Sequence, residues 1–316
     1  MVGNRKRQTE IGINMFGSNC LLLQQDGLAE LEGKDPNEVN FHIYMIARRA
    51  RISIDPESIT IDHDFIRGLF LINDKGKFIP KDFTLINHLK TSDIEFVCPY
   101  PHTEFFIYDS DKRLISSGKA ALLLQTLNGN YFPQMSLEIL YIGQSYGADG
   151  EKTAIQRLKS HSTLQNIYAD IIRQTPDKEI WILLWSFSPI VITAFDSSSG
   201  VYETTDKQDI SHIRNFHKKF ITEQQRINFT EAALIRHFEP EYNIMYKNNF
   251  PNPAHKTYSE CYDLDVHSIN VELQTENINC QLFSSKIEPL WIHLAQFPLH
   301  NSAERESILN YGWLPK

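Results

Sequence analysis

The sequence predicts an α+β protein. Three observations point there. Short apolar or alternating runs, divided by turn residues, fill the first 117 residues. A strand, a glycine-containing loop and a helix follow one another over 137–173. Two strongly apolar runs and two helical patterns then occupy 179–240.

Taken in order, "FHIYMIA", "FIRGLFLI", "IEFVCPY" and "EFFIYDS" are separated by the turn signals "DPNE", "DPES", "NDKGK" and "DSDK". Residues 1–117 therefore read as an α+β region with a core of its own, and no motif in it attaches to chemistry. "KAALLLQTL" is a buried element, and "NGN" at 128–130 is a turn. "LEILYIG" is a strand. "QSYGADGEK" is a loop, and it leads into a helix from about Thr153 to Arg173 whose apolar face holds Ile155, Leu158, Ile167 and Ile171. "EIWILLWSF" at 179–187 is a strand that should stop before Pro189, with "IVITAF" as a separate strand after it. "DSSSGVYETTDKQD" is a polar loop. One helix is expected from about Ile210 to Glu223. A second should begin at Thr230 as N-cap, with Glu231 in its first turn, and end near Pro240. Beyond residue 254, "INVELQ", "CQLFS" and "PLWIHLAQF" give a β-containing extension.

Composition narrows the function. The chain has 316 residues and a formal net charge of -8, which argues against a protein that coats nucleic acid through bulk charge. It leaves room for a local basic groove, and two segments lean that way: "KTAIQRLKSH" and "HIRNFHKKF". The cysteines, Cys20, Cys98, Cys261 and Cys280, form no C-x-x-C pair, so reduced thiols are expected and a zinc site is not. The longest apolar runs are too short to span a bilayer, and the basic N-terminus lacks the apolar region of a signal peptide, so the cytoplasm is the expected compartment.

The chemistry concentrates in "LEILYIGQSYGADGEKTAIQRLKSH". A phosphate cradle of the P-loop type needs G-x-x-x-x-G-K-[ST] between a strand and a helix. Here Glu151 follows Gly150, Lys152 and Thr153 come one place late, and Ser145 stands where the first glycine belongs. Phosphodiester cleavage uses other residues of the same stretch. It needs a cation to neutralise charge on the phosphoryl oxygens, a base to activate water, and usually a metal to help the leaving oxygen depart. Arg157 is a cation that never loses its proton. His161, four residues on, shares its helix face, and Tyr141 or His161 can take part in proton transfer. Mg²⁺ is often held by one or two carboxylates plus water and phosphate oxygens, and Glu231 is the candidate. Asn243 is an amide placed to hold a loop or a phosphate.

In this order the residues resemble the GIY-YIG nuclease superfamily. "YIG" at 141–143 matches the second half of its name motif, Arg157-x-x-x-His161 its helix signature, Glu231 in "EAALIRHFEPEYN" its metal-binding glutamate, and Asn243 its late asparagine. The resemblance covers about 118–250. It implies a small central antiparallel sheet flanked by helices, between an N-terminal region (1–117) and a C-terminal extension (251–316). It also implies hydrolysis of DNA with one Mg²⁺ or Mn²⁺ on Glu231. Tyr141 would orient or activate water, Arg157 would stabilise the pentavalent transition state, His161 would assist proton transfer or contact phosphate, and Asn243 would steady the site. No "GIY" precedes "YIG". Tyr131 is the only tyrosine just before it and Tyr108 a more distant one, so the first tyrosine and the general base stay open. DNA is the expected partner, with RNA as the alternative substrate. The rival function is a binding module that keeps the fold without the chemistry.

Overall fold

The structure, a computed structural model, describes residues 6–31, 41–127, 132–145, 157–158, 162–196, 201–218, 222–244, 247, 250–251, 261–300 and 305. The protein is α+β, and its frame is one nine-stranded mixed sheet. In chain order the strands are β1 (Thr9–Leu23), β2 (Ile43–Ile61), β3 (Phe65–Asp74), β4 (Lys77–Ile86), β5 (Glu95–Val97), β6 (Glu104–Tyr108), β7 (Leu114–Lys119), β8 (Leu137–Gln144), β9 (Lys178–Phe195), β10 (Ser268–Gln274), β11 (Leu282–Phe283) and β12 (Ile292–Pro298). The helices are α1 (Gly27–Glu30), α2 (Ala120–Leu127), α3 (Ser162–Gln174), α4 (Asp206–Lys218) and α5 (Glu223–Phe238).

The sheet runs β11-β8-β2-β9-β1-β10-β12, with β3 paired to β2 and β4 to β3. Its centre, β8-β2-β9-β1, is antiparallel throughout. β10 joins β1 and β11 joins β8 in parallel. Strands from before residue 117 and after residue 250 thus share one sheet with β8 and β9. β2 serves two partners. Residues 43–50 lie between β8 and β9, while 51–61 leave the centre to pair with β3. The strands β5-β6-β7 form a separate three-stranded sheet.

Alternation along β2 and β9 sorts their side chains onto two faces. Ile43, Met45, Ala47, Trp181, Leu183 and Trp185 face α5, which contributes Phe229, Ala232, Ala233 and Phe238. Tyr44, Ile46, Ile180, Ile182 and Leu184 face α3, which contributes Leu164, Ile167 and Ile171. Burial on both faces explains why "IWILLW" is apolar without a break. Across this centre a buried ion pair sits beside an indole. Arg49 Nε meets Glu179 Oε1 at 3.4 Å, Trp181 Nε1 donates to the same oxygen at 2.8 Å, and the Arg49 guanidinium lies 4.0 Å from the Trp181 ring centroid.

Three boundaries differ from expectation. α4 begins at Asp206, inside the expected polar loop, rather than near Ile210. β9 continues through Pro189, whose backbone carries no N–H, and it still pairs with Met15 of β1, so "EIWILLWSF" and "IVITAF" are one strand. α5 begins two turns before Thr230. Thr222 is its N-cap, in a capping box with Gln225, and Thr230 sits mid-helix with its Oγ1 donating to Arg226 O at 2.7 Å. Glu231 is therefore an interior helix residue rather than a first-turn acid. Among the described residues no helix is long and apolar enough to cross a membrane.

Candidate active site

Tyr141 stands on β8 opposite Ile46, and Gly143 stands opposite Tyr44 of β2. Tyr44 and Tyr141 are therefore diagonal neighbours on one face of an antiparallel pair, a separation aromatic side chains can bridge. Their ring centroids are 6.2 Å apart. Gly143 makes room for this. A Cβ there would come within 2.5 Å of the Tyr44 ring and hydroxyl and 2.9 Å of Tyr141. The third residue of "YIG" thus serves close packing rather than a turn.

Tyr44 is fully buried and Tyr141 half-buried. Arg157, exposed on the short helical stretch at 157–158, hydrogen-bonds Tyr44, and Tyr44 hydrogen-bonds Tyr141. A guanidinium only donates. Tyr44 therefore accepts from Arg157 and donates its own O–H to Tyr141. Leu158, buried beside Arg157, fastens this stretch to the α3 side of the sheet. Burial pushes both phenols above their ordinary range, and the Arg157 charge opposes it. Both are neutral phenols at pH 7.

Glu231 reaches the same place from α5. It accepts hydrogen bonds from the side chain and the backbone N–H of Gln144, the last residue of β8. Burial pushes its carboxyl up to about 7, while the Gln144 contacts and the Arg157 charge pull it down. Gln144 is held in turn by Asn228, one helical turn before Glu231, whose Oδ1 accepts from Gln144 Nε2 at 2.7 Å. Asn243 does not touch this cluster. Its buried side chain grips Ile142, accepting from the backbone N–H at 2.9 Å and donating to the carbonyl at 2.8 Å. Together with Tyr242 N–H donating to Leu140 O, it straps the chain after α5 along β8.

Tyr141, Arg157 and Glu231, far apart in sequence, thus share one electrostatic neighbourhood, and Asn243 braces the strand that carries Tyr141. His161, Lys152, Lys159 and Tyr131 lie outside the described residues. Tyr108 belongs to β6, in the separate three-stranded sheet. Sequence reasoning missed Tyr44 and Gln144. Tyr44 had a signal, because "HIY" at 42–44 differs from the expected "GIY" only at its first residue. It stands before β3–β7 and α2, far upstream of "YIG".

The donor set suits a hard divalent cation. Among the described residues no three His, Cys, Asp or Glu gather as a metal cluster. One carboxylate with water and phosphate oxygens is a common Mg²⁺ arrangement. Two observations fit it: a carboxylate that burial penalises, and, on the amide that donates to it, a buried oxygen, Gln144 Oε1, with no hydrogen-bond partner among the described residues. Comparison with family models, curated proteins and solved structures finds no match to this chain.

Proposed function

We propose that the protein is a divalent-metal-dependent endonuclease that hydrolyses phosphodiester bonds of DNA through a GIY-YIG-like site. The observation that carries the reading is the meeting of two tyrosines from adjacent antiparallel strands, Tyr44 and Tyr141, with Arg157 and Glu231. The resemblance asks for a first tyrosine beside that of "YIG", and Tyr44 takes that part. The small antiparallel core it asks for corresponds to β8-β2-β9-β1 between α3 and α5, with β3–β7 and α2 as an insertion between the two tyrosine strands.

Each residue then has a role. Arg157, exposed and permanently charged, neutralises the phosphoryl oxygens as the attacking water adds. Tyr141, half-buried and so within reach of solvent, orients that water; it takes the water's proton only as the phenolate, after losing its own proton to solvent, and Tyr44 donates a hydrogen bond to that oxygen. Arg157 also acts behind the pair, since its charge favours the phenolate form that burial resists. Glu231 would hold the cation, and a bound Mg²⁺ or Mn²⁺ would supply charge that helps the leaving oxygen depart. Asn243 keeps β8 in register with these groups.

The test is supercoiled and linear plasmid incubated with wild type and Glu231→Ala in Mg²⁺, Mn²⁺ or EDTA. Cleavage that needs both metal and Glu231 is the expected outcome. Undiminished cleavage by Glu231→Ala would refute the mechanism. DNA bound but intact across metals and pH would favour the binding module.

A further inference from the structure

Gln144 has a feature that no role above uses. Its two amide ends are distinguishable. One end faces the Glu231 carboxylate, which accepts, so that end is the Nε2 donor; the same nitrogen donates to Asn228 Oδ1 at 2.7 Å. Both N–H bonds of the amide are then committed. The oxygen has nothing: Oε1 is buried and lacks a hydrogen-bond partner among the described residues. A buried carbonyl oxygen without a partner is costly, and native structures rarely keep one without a reason. This one stands on the side chain that grips the proposed cation-binding carboxylate. Its backbone N–H fixes that carboxylate as well.

We propose that Gln144 supplies a second oxygen to the divalent cation held by Glu231, directly or through a water of the cation's shell, with Asn228 locking the amide so that Oε1 faces the cation. The proposal rests on the nuclease reading of this site. Amide carbonyls are ordinary ligands for hard divalent cations, and hydrogen-bonding partners that orient a ligand are worth about 10- to 100-fold in affinity. Gln144 thus does two things. Its nitrogen orients Glu231, and its oxygen completes the site. Asn228 is a positioning residue that acts through Gln144.

The experiment is Mn²⁺ binding without nucleic acid, read from the free-Mn²⁺ electron paramagnetic resonance signal, on wild type and four variants whose folding is checked by thermal melts. Gln144→Leu should weaken Mn²⁺ about 10-fold or more. Asn228→Ala should weaken it by a smaller factor. Gln144→Glu separates the two roles. It removes the donor to Glu231 but keeps an oxygen, so it should bind Mn²⁺ at least as tightly as wild type, a retention that misfolding cannot mimic. Gln144→Leu binding like wild type while Glu231→Gln does not would overturn the part given to Gln144 alone. Gln144→Glu as weak as Gln144→Leu would also overturn it, because the amide would then act only by orienting Glu231. Glu231→Gln binding as well as wild type would overturn the cation site itself, and the nuclease mechanism with it.

Discussion

The Tyr44 and Tyr141 rings lie 6.2 Å apart across adjacent antiparallel strands, and Tyr44 alone of the two is fully buried. The pair works as a unit: the inner phenol holds the outer one and is held by Arg157. Tyr141→Phe should lower cleavage by about 100-fold or more. Tyr44→Phe should lower it nearly as much, although Tyr44 touches no solvent. The double variant should be little worse than Tyr141→Phe, since groups acting together are not additive. Single-turnover rates on plasmid would check this, and independent, multiplying losses would break the coupling.

Gly143 is the space that this pair needs. Gly143→Ala would set a Cβ against the Tyr44 ring at 2.5 Å, and that ring is packed on all sides. The expected cost is about 1–3 kcal/mol from overpacking, read as a lower urea midpoint. Cleavage should fall further than stability, because the ring that must shift is the one holding Tyr141.

Asn243 makes two buried hydrogen bonds to one residue, Ile142. Asn243→Asp keeps the acceptor but sets a carboxylate oxygen against the Ile142 carbonyl. The expected loss is about 2 kcal/mol or more in equilibrium unfolding. Wild-type stability in this variant would mean that the strap after α5 does not depend on these bonds.

The buried Arg49–Glu179 pair should behave differently when one partner is lost and when both are. Glu179→Ala leaves the Arg49 guanidinium buried without its counter-charge, at a cost of about 3–5 kcal/mol. Arg49→Met combined with Glu179→Leu should be much less damaging than either single change. A chemical-denaturation cycle on the four proteins gives the coupling.

Acid should destabilise the protein through a histidine pair. His237 Nε2 and His293 Nδ1 meet at 3.1 Å between α5 and β12, and burial together with the His237 neighbour pushes His293 down to about 4 from 6.5. A histidine depressed in the folded state is neutral there, while the unfolded chain takes up a proton near pH 6.5. This contribution is complete above pH 6.5 and is lost as pH falls towards 4, on the order of 3 kcal/mol over that window. His293→Phe should flatten the profile. An unchanged slope between pH 6.5 and 4 would show that the pair is not the cause.

Much of this architecture is written in local pattern. The unbroken apolar run of "IWILLW" announces a strand buried on both faces. Ile167 and Ile171 announce the face of α3, to which the structure adds Leu164. "YIG", Arg157, Glu231 and Asn243 are picked out by residue type and order, and the family resemblance joins them into one candidate site. Helix and strand ends were less legible. The sequence pattern puts the cap at Thr230 and runs the preceding helix through residue 222, whereas the reciprocal bond with Gln225 makes Thr222 the cap. Pro189 reads as a strand end, yet the long pairing of β1 with β9 carries the strand past it.

The sequence by itself determined the class of the fold and the strand bearing Tyr141, because each depends on side-chain chemistry within a few residues, and it named Arg157 and Glu231 only through a resemblance in residue order. The tertiary structure decided which tyrosine stands beside Tyr141, why Gly143 must be glycine, and that Gln144 joins Glu231. Those are pairings across strands and between a strand and a helix. Partners there are set by which strands the sheet makes neighbours and in what register, so a long insertion can separate two residues in the chain without separating them in space.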